Sequence, residues 1–292
     1  MRRVGCAVLL PLVLSAAAVG RSSQEPAVST RAVVRAAAAY VAEYQRQLTS
    51  VIADELYTQD IVRQVPREPK AAMSRTMRSE VFFMFAPASR NWMAIRDVVA
   101  VDGQALGDRP DLSEALQDLP AREVASTFKS YNSRFNIGRT FRNFNEPTLA
   151  LLVLDGHHYD RFSFGRQRVD RSGDTVLVTL TFAERESPTL IHDTKRGRVF
   201  SKGELVVEAG SGRIRRAVLT AKIAELRVEL TTTYSSDDRL GMWVPTHFRE
   251  RYEYGVAPNL AHDVVSRSEY EHILCEAAYT NYRRFETSVR IK

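Results

Sequence analysis

"GELVVEAGSGRIRRAVLTAKIAELRVELTTTYSSDDRLGMWVP", residues 203–245, is the stretch that decides the fold class of this chain. Apolar and polar side chains alternate along it, and turn-forming residues interrupt the alternation at 210–212 and at 237–238. Alternation with a period of two, broken by short polar turns, predicts antiparallel strands joined by hairpins. The stretch therefore predicts a β-meander with one buried face and one face exposed to water.

The same alternation continues on both sides of this stretch. It predicts strands at 56–63, 75–85 and 91–103, and about eight strands after His157, those of the opening stretch included. A meander of about eleven antiparallel strands in sequential order must curl to hide its apolar face and its edges. We therefore predict a mainly β (α+β) fold, a half-open barrel.

Two parts of the chain have the helical period instead. Residues 31–52 carry one apolar stripe at steps of three and four, which predicts an amphipathic helix lying on an apolar surface. Residues 111–154 predict a helical insertion, with Asp111 as an N-cap and Gly138 closing a later segment. Its last part, 146–154, is apolar on all sides, which is typical of a buried helix. We expect these helices to cover the concave face of the sheet.

The first residues have the three-part pattern of a secretory signal peptide. Arg2 and Arg3 form a basic start, residues 4–14 are largely apolar, and residues 15–20 are small. The apolar run is shorter than the roughly 20 residues that span a membrane. The pattern predicts export, with the periplasm as the expected location and an extracellular location as the alternative.

Domain boundaries follow from this pattern. Cleavage after Ala18 and cleavage after Gly20 fit the small-residue segment equally well. The expected organisation is a signal peptide at 1–20, a polar linker at 21–30, and a single domain at 31–292 with the helical insertion 111–154.

Charge and cysteine content exclude several classes of protein. Lys and Arg number 41 and Asp and Glu 35; without Arg2 and Arg3 the balance is 39 against 35, a net charge of +4. A charge this small, spread singly along the chain, does not predict nucleic-acid binding. Removal of the leader takes Cys6 with it and leaves Cys275 alone, so no internal disulfide forms. We expect Cys275 to be buried and inert.

Candidate catalytic and metal-binding residues are few. The six histidines lack the spacing of a zinc site, so we predict no metal and no cofactor. No Gly-x-Ser-x-Gly nucleophile motif is present, and Asp237 and Asp238 lie in a predicted hairpin turn. An enzyme, an uncharacterised hydrolase, is kept only as an alternative. An enzyme would require a cleft in which at least two of four residues lie within hydrogen-bond distance of each other. The four are His192, Asp193, His247 and Glu250.

Aromatic and branched side chains recur along the predicted strands and would line the concave face. A curved sheet with few helices encloses either a ligand cavity or a filled core, and the sequence leaves both open. The candidate ligand-binding residues are Val81, Phe83, Phe85, Trp92, Phe182, Val218, Val228 and Trp243.

The order of these parts resembles a known family. The outer-membrane lipoprotein-sorting (LolA/LolB-like) proteins have a strand–turn–strand pattern that ends in a "WVP" strand. This chain resembles that pattern in "GELVVEAGSGRIRRAVLTAK" followed by "VELTTTYSSDDRLGMWVPTHFRERY". Two further stretches resemble uncharacterised exported bacterial proteins: "VVAVDGQAL" and "YTNYRRFETSV". The resemblance covers roughly residues 30–290 by order of elements and residues 203–254 by motif. It implies a half-barrel that holds acyl chains or apolar protein segments beneath a helical lid. Members are shorter than this chain, and no residue here matches the arginine that gates ligand release in them.

The resulting functional prediction is an exported, non-enzymatic binding protein. Its expected partner is an apolar ligand, namely a lipid, an acyl chain or an apolar peptide, or else an envelope protein, with transient membrane contact and no nucleic acid. The alternative is a periplasmic protein-interaction or envelope-sensor domain, which a filled core and a bare edge strand would favour.

Overall fold

The computed structural model describes residues 29–65, 70–86, 90–138, 140, 142, 146–193, 197–255 and 269–285, without the side chains of residues 113, 118, 121, 172 and 193. The predicted signal peptide, its cleavage site, Cys6 and nearly all of the linker lie outside the described residues. In the part of the chain that the structure describes, no helix is long and apolar enough to cross a membrane.

Helix α1, Thr30–Leu48, is the amphipathic helix that the sequence predicted. Its apolar stripe is buried along its whole length. The predicted end at residue 52 is wrong: Thr49 is extended, Ser50 has a φ of +64°, and Ile52 lies in the first strand. The backbone N–H of Ser50 donates to the carbonyl of Phe83 at 2.9 Å, so the chain enters the sheet directly after the helix.

Most of the described chain forms one open antiparallel sheet of eleven strands. The N-terminal strands are β1 (Val51–Gln64), β2 (Ala71–Ala86), β3 (Asn91–Val101) and the short β4 (Gln104–Ala105). The later strands are β5 (Phe162–Ser172), β6 (Thr175–Glu184), β9 (Ser201–Glu208), β10 (Ile214–Ile223), β11 (Leu226–Asp237), β12 (Met242–Tyr254) and β13 (Tyr270–Arg284). The predicted mainly β, half-open architecture is confirmed.

The predicted sequential strand order is wrong at one place. The spatial order is β4-β3-β2-β1-β13-β12-β11-β10-β9-β6-β5, so the last strand lies between β1 and β12. Ala278 of β13 pairs with Leu56 on one side and with His247 on the other. The C-terminal strand therefore joins the two halves of the sheet.

A separate two-stranded hairpin accounts for the remaining strands, β7 (Ile191–Asp193) and β8 (Gly197–Val199). Only Phe200 separates β8 from β9, the strand that follows it in the main sheet. Ile191 and Val199 are buried against the main core, so the hairpin is part of the same domain.

The two faces of the sheet are covered by different elements. We call the face beneath α1 the inner face; α1 and the 3-10 segment Leu149–Leu154 pack on it. Helices α2 (Leu112–Asp118) and α3 (Ala121–Asn132) pack on the opposite, outer face around Ile52, Phe82 and Ile95. The insertion 111–154 is thus divided between the faces: α2 and α3 cover the outer one, and Phe135 and the last part of the insertion pack in the inner-face cluster. The predicted N-cap is confirmed, since Asp111 Oδ1 accepts from the N–H of Glu114 at 2.8 Å.

Candidate functional site

Six of the eight candidate ligand-binding residues lie together on the inner face. These side chains are at most 7 % exposed and belong to one core cluster with α1: Val81, Phe83, Phe85, Trp92, Phe182 and Val228. The alternation of each strand places them there, because every second side chain points to the same face. In this structure they contact other side chains of the core, so the inner face is packed.

The other two candidates are not buried members of this cluster, although Trp243 packs against it. Val218 alternates with the inner-facing Ala217 and Leu219 and lines a groove of about 670 Å³, to which Phe182 also contributes. Trp243 is half-buried, and the guanidinium of Arg215 stacks over its ring at 4.2 Å. Neither residue belongs to the buried cluster of the other six.

Helix α1 closes the inner face with a continuous apolar stripe. The stripe consists of Val33, Val34, Ala37, Val41, Tyr44 and Leu48, each at most 2 % exposed. Tyr44 is the centre of an aromatic group, with its ring 6.0 Å from that of Trp92 and 6.3 Å from that of Tyr234. Burial raises the pKa of Tyr44 well above its ordinary value, and its hydroxyl has no hydrogen-bond partner among the described residues.

A small polar group fastens the C-terminal end of α1. We call Gln45, Asp155 and Arg90 the latch: Gln45 Nε2 and Arg90 Nη2 donate to Asp155 Oδ2 at 2.8 and 2.6 Å. The backbone N–H of His157 donates to Oδ1 of the same carboxylate at 2.9 Å. Burial favours the neutral form of Asp155, but the hydrogen bonds from Arg90 and Gln45 outweigh it and lower the pKa of this carboxyl.

The turn between β9 and β10 presses on the middle of α1. Gly212 has a φ of +73°, and a Cβ there would lie 2.2 Å from the carbonyl oxygen of Ala36. Segment 149–154 is fixed separately, because Thr232 Oγ1 and Tyr234 Oη both donate to the carbonyl of Pro147, at 2.6 and 3.0 Å. The segment is thus fixed to β11, whereas α1 is held by its stripe, the latch, this close approach and a hydrogen bond that the Arg284 side chain of β13 donates to the carbonyl of Gln47.

A polar network lies on the inner face beside the apolar cluster. Arg96 Nε donates to both carboxylate oxygens of Glu55, at 3.0 and 2.8 Å, and both side chains are almost fully buried. Glu250 is fully buried and accepts hydrogen bonds from the hydroxyls of Tyr57 and Tyr252. Burial raises the pKa of Glu250, against hydrogen bonds from Tyr252 and the nearby charge of Arg96.

This network was not predicted from the sequence, although the sequence indicates it by charged residues at inward-facing strand positions. Glu55 alternates with Ala53 and Tyr57, which are buried, and Glu250 stands between the buried Phe248 and Tyr252. A charged residue at a position where the alternation predicts an apolar one indicates a buried polar site. Cys275 lies beside this network, and burial raises the pKa of its thiol to about 12, which fits the prediction of a buried cysteine.

The candidate catalytic set is not assembled by the fold. Glu250 faces the inner side of β12, His247 is exposed on the same strand, and His192 is exposed on β7. Among the described side chains no hydrogen bond joins any two of these three. The side chain of Asp193 lies outside the described residues. No group of three or more His, Cys, Asp or Glu in the described ranges is arranged to hold a metal ion.

Two further cavities lie at the margins of the sheet. One, of about 340 Å³, lies between β3 and α3 and reaches the polar network through Arg96 and Tyr57. The other, of about 870 Å³, lies at the ends of β10 to β13 and has polar walls, including Glu253 and His272.

Solved structures of similar fold include three bacterial proteins. The chain is similar to a putative outer membrane lipoprotein-sorting protein domain from Vibrio parahaemolyticus (9% identity, TM-score 0.35, covering 86% of this chain and 93% of that one). It is also similar to a LolA superfamily protein from Nitrosomonas europaea (14% identity, TM-score 0.29, covering 89% of this chain and 96% of that one). A DUF1329 family protein from Desulfovibrio piger is similar as well (12% identity, TM-score 0.35, covering 87% of this chain and 98% of that one). No protein-family model and no curated protein matches the sequence.

Two of these three are a lipoprotein-sorting protein domain and a LolA superfamily protein, the kind of protein that the sequence resembles. Their TM-scores and identities are low, so any function of this chain rests on its own geometry.

Proposed function

We propose that this chain is an exported, non-enzymatic binding protein that holds a lipid, an acyl chain or an apolar peptide on its inner face, beneath α1. The observation that carries the proposal is how this face is covered. One amphipathic helix and one short 3-10 segment cover it, and Phe135 and the small β7–β8 hairpin pack against the same core cluster. A helix of this kind can open without disturbing the strand ladders, because no backbone-to-backbone hydrogen bond between described residues joins it to the sheet within its own span. The side chain of Arg284 on β13 donates to one of its carbonyls, that of Gln47.

The size of the apolar stripe sets the size of the ligand. Burying the five large side chains of the stripe contributes about 8–15 kcal/mol, at about 1.5–3 kcal/mol each. An acyl chain gains about 0.8 kcal/mol for each methylene that it buries, so roughly 10–19 methylenes are needed to replace the stripe. Long acyl chains and extended apolar peptides meet this condition, and short ligands do not. The six buried candidate residues on the inner face would form the wall that such a ligand contacts.

Location and partners belong to the same proposal. The signal-peptide pattern of residues 1–20 supports export, with the periplasm as the compartment. An apolar ligand of this kind is delivered from a membrane or a lipidated protein, so we expect transient contact with one of these. The separation of Glu250 from His247 supports a binding role over an enzymatic one.

Native mass spectrometry of the mature protein, purified from a host that exports it, tests the proposal directly. We expect a stoichiometric adduct that solvent extraction identifies as an acyl-bearing molecule or an apolar peptide. If the measured mass is that of the chain alone, and the protein takes up neither added palmitate nor an apolar dye, the proposal is wrong.

A latch variant tests whether the ligand enters beneath α1. Asp155→Asn weakens the latch, so we expect faster amide exchange in residues 30–48 and faster uptake of an apolar dye. The control is Asp170→Asn, which removes a carboxylate from an exposed ion pair with Arg168 on β5. Equal uptake rates in the two variants would place the binding site away from α1.

A second candidate function is favoured by the outermost strand. Strand β5 ends the sheet order and pairs only with β6 among the described strands, so one side of its backbone is open to pairing. With the packed inner face, this fits a protein-interaction or envelope-sensor domain that adds a strand from its partner. Val169 lies in the middle of this strand and is 43 % exposed.

The edge-strand function is tested by substitution at Val169. Val169→Pro removes a backbone donor and bends the edge, whereas Val169→Thr keeps the strand. Cross-linking in the exporting host is expected to capture an envelope partner with Val169→Thr and not with Val169→Pro. Capture that is the same for both variants would contradict pairing at this edge.

A further inference from the structure

The hydrogen bonds that join α1 to the rest of the described chain lie at its C-terminal end. Gln45 belongs to the latch, and the Arg284 side chain of β13 donates to the carbonyls of Gln47 and Thr49. Residues 30–44 are held by apolar contacts and by the close approach of the turn between β9 and β10. The N-terminal two-thirds of the helix can therefore leave the sheet first, because no hydrogen bond between described residues ties it down.

The connection between α1 and the sheet allows this movement. Within the described ranges the helix is joined covalently to the sheet only through Thr49 and Ser50. The N–H of Ser50 is bound to the carbonyl of Phe83 at 2.9 Å, so the chain is fixed to the sheet from this residue onward. The helix can thus swing about Thr49 while β1 keeps its place in the sheet.

The face of α1 that points to solvent is basic. Arg31, Arg35 and Arg46 are exposed on it, together with one carboxylate, Glu43. Three arginines against one glutamate leave a net charge of +2 on this face. Glu43 is paired with Arg46, and among the described residues neither Arg31 nor Arg35 is in an ion pair. The two unpaired charges lie at the end of the helix that leaves first.

An apolar stripe opposite a basic face is the pattern of a helix that lies in the surface of an anionic membrane. A ligand that takes the place of the stripe on the inner face leaves the stripe without apolar contacts, and exposing it to water is unfavourable. We propose that α1, once displaced, lies on an anionic lipid surface, with its stripe at the acyl boundary and Arg31 and Arg35 among the headgroups. This inference rests on the proposed function, since it names the part of the chain that makes the expected membrane contact and the lipid charge that it recognises.

The side chains of the stripe suit a lipid surface better than a groove in a protein. Protein interfaces depend on a few large anchors that fill shaped pockets. The four stripe residues of the end that leaves first are small and offer no such anchor: Val33, Val34, Ala37 and Val41. A bilayer accepts them without a shaped pocket, and each arginine near its anionic surface strengthens binding about fivefold.

Flotation of the full mature chain with lipid vesicles tests the proposal. Vesicles of phosphatidylcholine with phosphatidylglycerol should bind it about tenfold or more tightly than phosphatidylcholine alone, and salt should weaken this binding. The double variant Arg31→Gln with Arg35→Gln should bind them roughly 25-fold more weakly. The control, Arg227→Gln with Arg249→Gln, removes the same charge from exposed positions on β11 and β12 and should change the affinity by less than about threefold.

A thiol in the stripe reports whether α1 has left the sheet. Ala37 is fully buried, and Cys275 of the mature chain is buried with a raised pKa, so Ala37→Cys supplies the reactive thiol. On phosphatidylglycerol vesicles it should react with a maleimide carried by a lipid headgroup. Ala277→Cys, buried in the same cluster on β13, should not react, because the sheet stays folded.

The latch gives a second variant whose effect has the opposite sign. Asp155→Asn weakens the contact that holds the C-terminal end of α1, so we expect several-fold tighter binding to phosphatidylglycerol vesicles. Asp170→Asn, which also removes one carboxylate, should not change it.

Three results would overturn the proposal: no binding to phosphatidylglycerol vesicles, binding that the double variant in α1 leaves unchanged, and binding in which Ala37→Cys stays unreactive. Palmitate uptake measured without vesicles separates this inference from the proposed function. Uptake without vesicle binding would leave the proposed function standing and contradict the inference. Vesicle binding through α1 in a chain that takes up no palmitate would keep α1 as the membrane contact and contradict the proposed ligand site.

Discussion

At the scale of single residues, the buried pair of Arg96 and Glu55 puts charge on a face that is otherwise apolar. Removing two charges from water is expensive, so such a pair contributes little net stability compared with apolar residues. Removing only one partner is different, because the other charge stays buried without compensation. Both Nε hydrogen bonds of Arg96 go to Glu55, so this carboxylate is its main counter-charge.

We predict that Glu55→Gln lowers the free energy of unfolding by about 3–5 kcal/mol. The same substitution at an exposed ion pair, Glu276→Gln opposite Arg249, should cost less than about 1 kcal/mol. Urea denaturation of both variants measures the difference. Similar losses for the two would mean that water reaches Arg96.

At the scale of elements, α1 is held by contacts that can be changed one at a time. Gly212 and Gly210 lie in the same turn, but only Gly212 has a positive φ and touches α1. A side chain at Gly212 would meet the helix backbone, while the space around Gly210 is open. The turn therefore offers a matched pair of substitutions.

We predict that Gly212→Ala destabilises the protein by about 1–2 kcal/mol for the left-handed conformation, plus the cost of shifting α1. Gly210→Ala should change stability by no more than about 0.5 kcal/mol. Hydrogen exchange should show lost protection in residues 30–48 for the first variant only. Protection that is equal in both would show that α1 does not depend on this contact.

The latch makes the attachment of α1 dependent on pH. Because the pKa of Asp155 is lowered in the folded state, its contribution is present above the unfolded value of about 3.9 and is lost as the pH falls through the folded value. We predict that Asp155→Asn is less stable than the parent by about 1–3 kcal/mol at pH 6. The gap should narrow below pH ~4.

Urea denaturation at pH 6, 4 and 3 measures this gap. Asp170→Asn serves as the control and should stay within about 0.5 kcal/mol of the parent. A gap for Asp155→Asn that is constant over the three pH values would contradict an ionised latch.

At the scale of the whole molecule, β13 joins the N-terminal strands to the rest of the sheet. Pairing of β1 with β13 brings together residues such as Val51 and Arg284, at opposite ends of the described chain. Contacts this distant in sequence close late, because the entropy of the long loop is lost before the strands pair. We therefore expect one cooperative domain that completes its folding only when β13 pairs with β1.

We predict that deleting Tyr270–Arg284 abolishes the cooperative urea transition followed by circular dichroism. A double variant on the exposed side of β13, His272→Ser with Glu276→Gln, should keep it. A cooperative transition in the deletion variant would mean that the two halves fold separately.

Local features of this protein are determined by the sequence alone. The alternation of residues 203–245, the cap at Asp111 and the apolar run at 149–154 depend on neighbours within a few positions, so each predicted its element. The inner location of Phe83 and five other candidates follows from the same alternation. The end of α1 was missed because Ile52 continues the helical period although it faces the other side of the sheet.

Only the tertiary structure decided which strands are neighbours, which face each helix covers and which charges are buried. Alternation specifies a buried face but not a partner, so it did not place β13 beside β1. It likewise did not show that α2 and α3 pack on the outer face. Glu55 and Arg96 are 41 positions apart, and a buried charge is tolerated only where the fold supplies its partner. Stability at such positions depends on distance in space, which a linear pattern does not contain.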